Sequence, residues 1–141
     1  MSDEVQLERK NAERIFARAF TLLGGVFWIG AAFAGPYVYG GQTVLGAFGT
    51  AVYPLAFTIG VLVLGWFHEH LTAVILMAGA AGTIAWGLIW GSWEPFVWGI
   101  MLAFFVTPTI IAAILYYLAG NAEVGEATSP AETFASVPPR R

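Results

Sequence analysis

VLGAFGTAVYPLAFTIGVLVLGWF, residues 44–67, is followed by His68-Glu69-His70 and then by LTAVILMAGAAGTIAWGLIW, residues 71–90. Two apolar runs of more than about 18 residues, broken by three polar ones, read as two membrane-crossing helices joined by a tight turn. Working outward, the same pattern recurs on each side. Residues 19–39 are apolar and end in Gly35-Pro36 and a Gly40-Gly41-Gln42-Thr43 loop. Residues 96–118 are apolar again, entered through Gly91-Ser92-Trp93-Glu94-Pro95. Each run can cross a hydrocarbon core of ~30 Å at 1.5 Å per residue. Short connections make neighbouring helices antiparallel. The expected fold is therefore all-α, a four-transmembrane-helix bundle running up-down-up-down.

Composition agrees. Of 141 residues 58% are hydrophobic and 11% charged, with a mean hydropathy of +0.73. A soluble domain is about a quarter charged. Between Ala19 and Ala122 the only charged residues are Glu69 and Glu94, too few to solvate an outer surface. The absence of cysteine excludes thiolate nucleophiles, iron–sulfur clusters and cysteine-held zinc. A net charge of −3 gives no footprint for nucleic acid.

The ends differ from the middle. Residues 1–18 form a charged arm with helix-supporting pairs, Arg9 with Glu13 and Lys10 with Glu13. It is expected to be a helical extension of the first span. Residues 119–141, rich in Ala, Glu, Ser, Thr and Pro, are expected to be a flexible tail. Ala32-Phe33-Ala34 fits a signal-cleavage pattern, but the leader carries four acids and the apolar run is long, so the segment is read as retained. Arg9, Lys10, Arg14 and Arg18 precede the first span, while neither loop expected outside holds Lys or Arg. The positive-inside rule then puts both termini in the cytoplasm of a multi-pass plasma-membrane protein.

Few residues carry chemistry. His68, Glu69 and His70 form the single titratable cluster and could ligate a metal. In an extended turn only two of them point the same way. The reading preferred is a polar hairpin turn at headgroup level. Glu94 before Pro95 suits the positive end of the fourth helix. Arg14 and Arg18 share a face and are expected to snorkel to lipid phosphates. Trp66, Trp90, Trp93 and Trp98 sit at span ends, as interfacial anchors do. Ala78 with Gly82, and Gly79 with Thr83, are small-xxx-small pairs, which makes the third helix the expected centre of packing. On that view Gly82→Leu would destabilise the bundle. Pro54 and Pro108 are expected to kink the second and fourth helices for packing. Inside the spans a polar path could draw only on Thr21, Thr50, Thr58, Thr83, Thr107, Thr109 and Tyr53.

Glu69-His70-Leu71-Thr72-Ala73, Trp86-Gly87, Trp93-Glu94-Pro95 with Trp98 and Met101, Pro108, and Leu115-Tyr116-Tyr117-Leu118-Ala119 together resemble small four-helix membrane proteins of unknown function from bacteria, actinobacterial ones first. The resemblance covers the C-terminal half and implies no activity. Resemblance to small multidrug transporters stops at size, since no glutamate occurs in the first span. The function expected is non-enzymatic and without cofactor. It is an accessory or structural subunit, or a scaffold, in the lipid bilayer with other membrane subunits or further copies of itself. A small oligomeric transporter or channel is the alternative. A metal- or haem-binding protein using His68 and His70 comes third.

Overall fold

The computed structural model describes residues 3–89 and 94–127. Among them the secondary structure is entirely helical: α1 (Asp3–Ala34), α2 (Val44–Phe67), α3 (Glu69–Ile89), α4 (Pro95–Met101) and α5 (Thr107–Ala127). A wide π turn, Gly35–Tyr39, extends α1, and a second, Leu102–Val106, joins α4 to α5 into one span. The result is four helices long and apolar enough to cross a membrane. α1 packs on α2 and α5, and α3 packs on α5 and more loosely on α2. The spans thus follow each other around a ring, as short connections require. Large apolar side chains face outward on every span, Val26, Leu45, Val74 and Leu88 among them. Water would not tolerate such a surface, and lipid would.

Local chemistry sets the boundaries. The charged arm is continuous with the first span, because no glycine or proline interrupts the chain from Asp3 to Leu23. Pro36 offers no N–H to the Ala32 carbonyl one turn back, and the Thr50 hydroxyl of α2 donates to that oxygen at 2.8 Å. Gly41 turns the loop with a φ of 62°, and Thr43 caps α2 by accepting from the Gly46 amide at 3.3 Å. Only His68 separates α2 from α3. Pro95 opens the fourth span with Glu94 at its N-cap. α5 runs on to Ala127, past the span end expected at Leu118, so the first part of the expected tail is helix. Ala119 and Gly120 are buried, and no proline stops the helix before Pro130. Residues 128–141 of that tail lie outside the described residues.

The packing core differs from the one expected. Ala78 and Gly82 are exposed, and a Cβ added at Gly79 or Gly82 would meet no atom within 4 Å. The close approaches lie elsewhere. A Cβ at Gly25 of α1 would come 2.6 Å from the Thr58 hydroxyl oxygen, and one at Gly65 of α2 would come 2.6 Å from the Tyr116 hydroxyl. Ala17 of α1, Ala73 of α3 and Ala112 and Ala113 of α5 complete a tightly packed layer with Val61, Leu76 and Tyr116. Small residues let helices approach in lipid wherever they face each other. Here all four spans contribute them. Pro54 and Pro108 are buried within this packing.

Gly65→Val should therefore destabilise the bundle by about 1–3 kcal/mol through overpacking against Tyr116. Gly82→Leu should stay within about 0.5 kcal/mol, as at an open surface position. Thermal unfolding in detergent, followed by circular dichroism, separates the two. Equal losses would contradict this packing.

Candidate functional site

The site assembles where the charged arm meets the bundle. Arg14 and Arg18 lie one helical step apart on α1, with fully buried Ala17 between them on the same face. Glu69 is the first residue of α3, and its inward face continues through Thr72, Ala73, Leu76 and Ala80. That periodicity turns the Glu69 side chain into the bundle, leaving it 10% exposed. Arg14 Nε donates to Glu69 Oε1 at 2.5 Å, tying α1 to α3 across 55 residues of sequence. Arg18 places its guanidinium 5.4 Å from the centroid of the Trp66 ring, a cation–π contact with α2. Tyr116 of α5 is fully buried, its phenol seated against Gly65. All four spans therefore contribute to one charged cluster.

The cluster is not fully satisfied by protein. Arg18 Nε, Glu69 Oε2 and the Tyr116 hydroxyl are buried and make no well-aligned hydrogen bond among the described residues, although Tyr116 lies beside Arg18 and Thr21. Each such group costs about 1–3 kcal/mol if left unmet. Two of the three can donate and two can accept, so a small polar molecule could bridge them.

Two expectations change here. The turn expected to be solvated instead holds Glu69 half-buried, paired with Arg14. Arg14 and Arg18 were expected at lipid phosphates and instead reach back to Glu69 and Trp66. The physical reason is shared. The Glu69 carboxylate, held at the start of α3 by the one-residue connection, lies close enough to compensate α1's charge at the bundle surface.

The His-Glu-His side chains diverge. His68 ends α2 and is exposed. His70 stands edge-on to Tyr117, with ring centroids 5.6 Å apart, and lies against Gly120. Among the described residues no three potential ligands are grouped for a metal. Glu94 is exposed at the opposite end of the bundle. Trp66 is exposed at the charged end, and Trp98 lies half-buried near Glu94. Trp90 and Trp93 lie outside the described residues.

Thr21, Thr58, Thr83 and Thr109, one from each span, line a single cavity inside the bundle. Thr50 and Thr107 are not among its lining residues, and Tyr53 is exposed. The sequence reading missed Tyr116 and Gly65 as a matched pair. Their complementarity depends on which faces of α2 and α5 meet, and apolar runs do not encode that. No family model, curated protein or solved structure matches the chain.

Removing Glu69 would cost Arg14 its charge-assisted hydrogen bond to α3. Glu69→Ala should destabilise by about 1.5–3 kcal/mol, as for a lost hydrogen bond between charged groups, because the pair is half-buried and the Arg14 side chain keeps 28% exposure. Glu94→Gln should stay within about 0.5 kcal/mol. The double variant Arg14→Leu/Glu69→Leu should recover most of the Glu69→Ala loss. Thermal unfolding of the three variants reads this out, and a harmless Glu69→Ala would contradict the pair.

Proposed function

We propose that the chain is a non-enzymatic membrane subunit that assembles with other membrane-spanning chains or with copies of itself, as do accessory and scaffold proteins. This reading places it with the small four-helix bacterial proteins it resembles. One observation carries it. Ala78, Ala81, Gly82 and Ala85 fall at helical spacing on α3 and are all exposed. In lipid, a smooth strip of small residues is the usual surface for helix–helix association.

The transporter reading is favoured by one feature, the inward-turned Glu69. It finds no continuation in this chain. Between His70 and Glu94 the chain has no Asp, Glu, Lys, Arg or His, and the threonines lining the cavity donate their hydroxyls to their own helices. Proton or ion relays need polar groups in succession. The basic residues of the arm orient both termini toward the cytoplasm in this reading.

The chain has no cysteine, so single substitutions report cleanly. Gly82→Cys in native membranes should form a crosslinked dimer, or a discrete adduct with one other chain, and Gly82→Leu should abolish association without loss of Tm. Monomeric behaviour of the unsubstituted chain in mild detergent, with no adduct at position 82, would overturn the proposal. In the same background a cysteine at Gln42 should react with a membrane-impermeant maleimide in intact cells, and one at His68 should not. The reverse pattern would invert the orientation.

A further inference from the structure

We propose that the cavity inside the bundle is a binding site for one small uncharged ring compound, of benzene to indole size. The cavity has a volume of about 170 Å³ and draws its lining from all four spans. An apolar cavity of about 150 Å³ in a soluble protein suffices to hold benzene. The space is therefore large enough for a single ring.

The lining chemistry sets the ligand class. Thr21 donates to the Ala17 carbonyl at 2.9 Å, Thr58 to Pro54 at 2.7 Å, Thr83 to Gly79 at 2.9 Å and Thr109 to Phe105 at 2.6 Å. With each hydroxyl proton committed to its own helix, these side chains offer the cavity methyl groups and oxygen lone pairs but no donor. No charged residue lines it. An anion would find no counter-charge to replace its hydration, and a cation would meet four neutral oxygens and the Trp28, Phe57 and Phe105 rings but no carboxylate. A neutral ligand loses little on entry, and a single N–H on it would find an acceptor.

The remaining walls favour a ring. Trp28 stands 5.6 Å from Phe57 at an interplanar angle of 75°, and 5.3 Å from Phe105 at 55°. All three line the cavity. Aromatic groups prefer edge-to-face or offset partners at centroid separations of about 4.5–7 Å, so a guest ring extends an arrangement already present.

Fluorobenzene is a suitable probe, followed by fluorine NMR of the full chain in micelles. The proposal expects a bound resonance distinct from the micelle-partitioned one, saturating at one probe per chain. Gly79 lines the cavity, and a Cβ added there meets no atom within 4 Å, so Gly79→Leu should fill the space and remove the bound resonance. Thr83→Leu should do the same by a second route. Gly82 borders only the outer groove beside Trp86, so Gly82→Leu should leave the resonance intact. Absence of a bound resonance in the unsubstituted chain would overturn the proposal, as would its persistence in both filled variants or its loss with Gly82→Leu. In bilayers with brominated acyl chains, fluorescence quenching should be equal in the unsubstituted chain and Trp28→Phe. A large component lost with Trp28→Phe would show that a lipid chain occupies the cavity instead.

Discussion

Arg14 and Glu69 meet at the charged end of the bundle, and their pairing fixes how two helices are rotated. On α3 the residues sharing Glu69's face are Thr72, Ala73, Leu76 and Ala80, all buried. On α1 the face carrying Arg14 continues through Ala17, Arg18, Thr21 and Gly25. A helix apolar on all sides has no strong preference for which side faces lipid. A carboxylate and a guanidinium do, because either one left alone in a low-dielectric interior is costly. Once the pair is made, α3 turns Leu76 and Ala80 inward and Ala78 and Gly82 outward. The packing layer around Tyr116 and the outward strip of small residues are two consequences of one ionic contact.

The other polar groups obey the same constraint by a different route. In a hydrocarbon medium each donor must find a partner within the protein. Thr21, Thr58, Thr72, Thr83 and Thr109 fold their hydroxyls back onto carbonyls one turn earlier, and Thr50 reaches across to the Ala32 carbonyl, one turn before Pro36. This makes the interior polar in composition yet apolar in what it presents. The bundle thus concentrates its unmet hydrogen-bonding capacity at the charged end, around Arg18, Glu69 and Tyr116.

Span number and span order were legible in the sequence, because the bilayer imposes length and hydropathy on each helix separately. Rotation was not. The small residues of α3 are conspicuous in sequence, but whether Gly82 faces a neighbour or lipid depends on the partner helix. Glu69 looked interfacial because His68 and His70 flank it. Its direction is decided by Arg14 on another span. The end of the last helix was missed for a simpler reason. Composition changes after Leu118, yet Ala, Asn and Glu are tolerated in a helix, and no proline intervenes before Pro130.

The inward pair is the central claim, and it can be observed without perturbing the protein. Solid-state NMR of the full chain in lipid bilayers, with labelled arginine nitrogen and glutamate carboxyl carbon, measures dipolar coupling between the Arg14 guanidinium and the Glu69 carboxylate. The structure predicts direct contact, with Nε and Oε1 at 2.5 Å. A strong coupling assigned by its loss in Glu69→Gln, together with slow exchange of the Arg14 Nε proton, is the expected result. A Glu69 carboxylate without coupling to Arg14 and in fast contact with water would contradict the account.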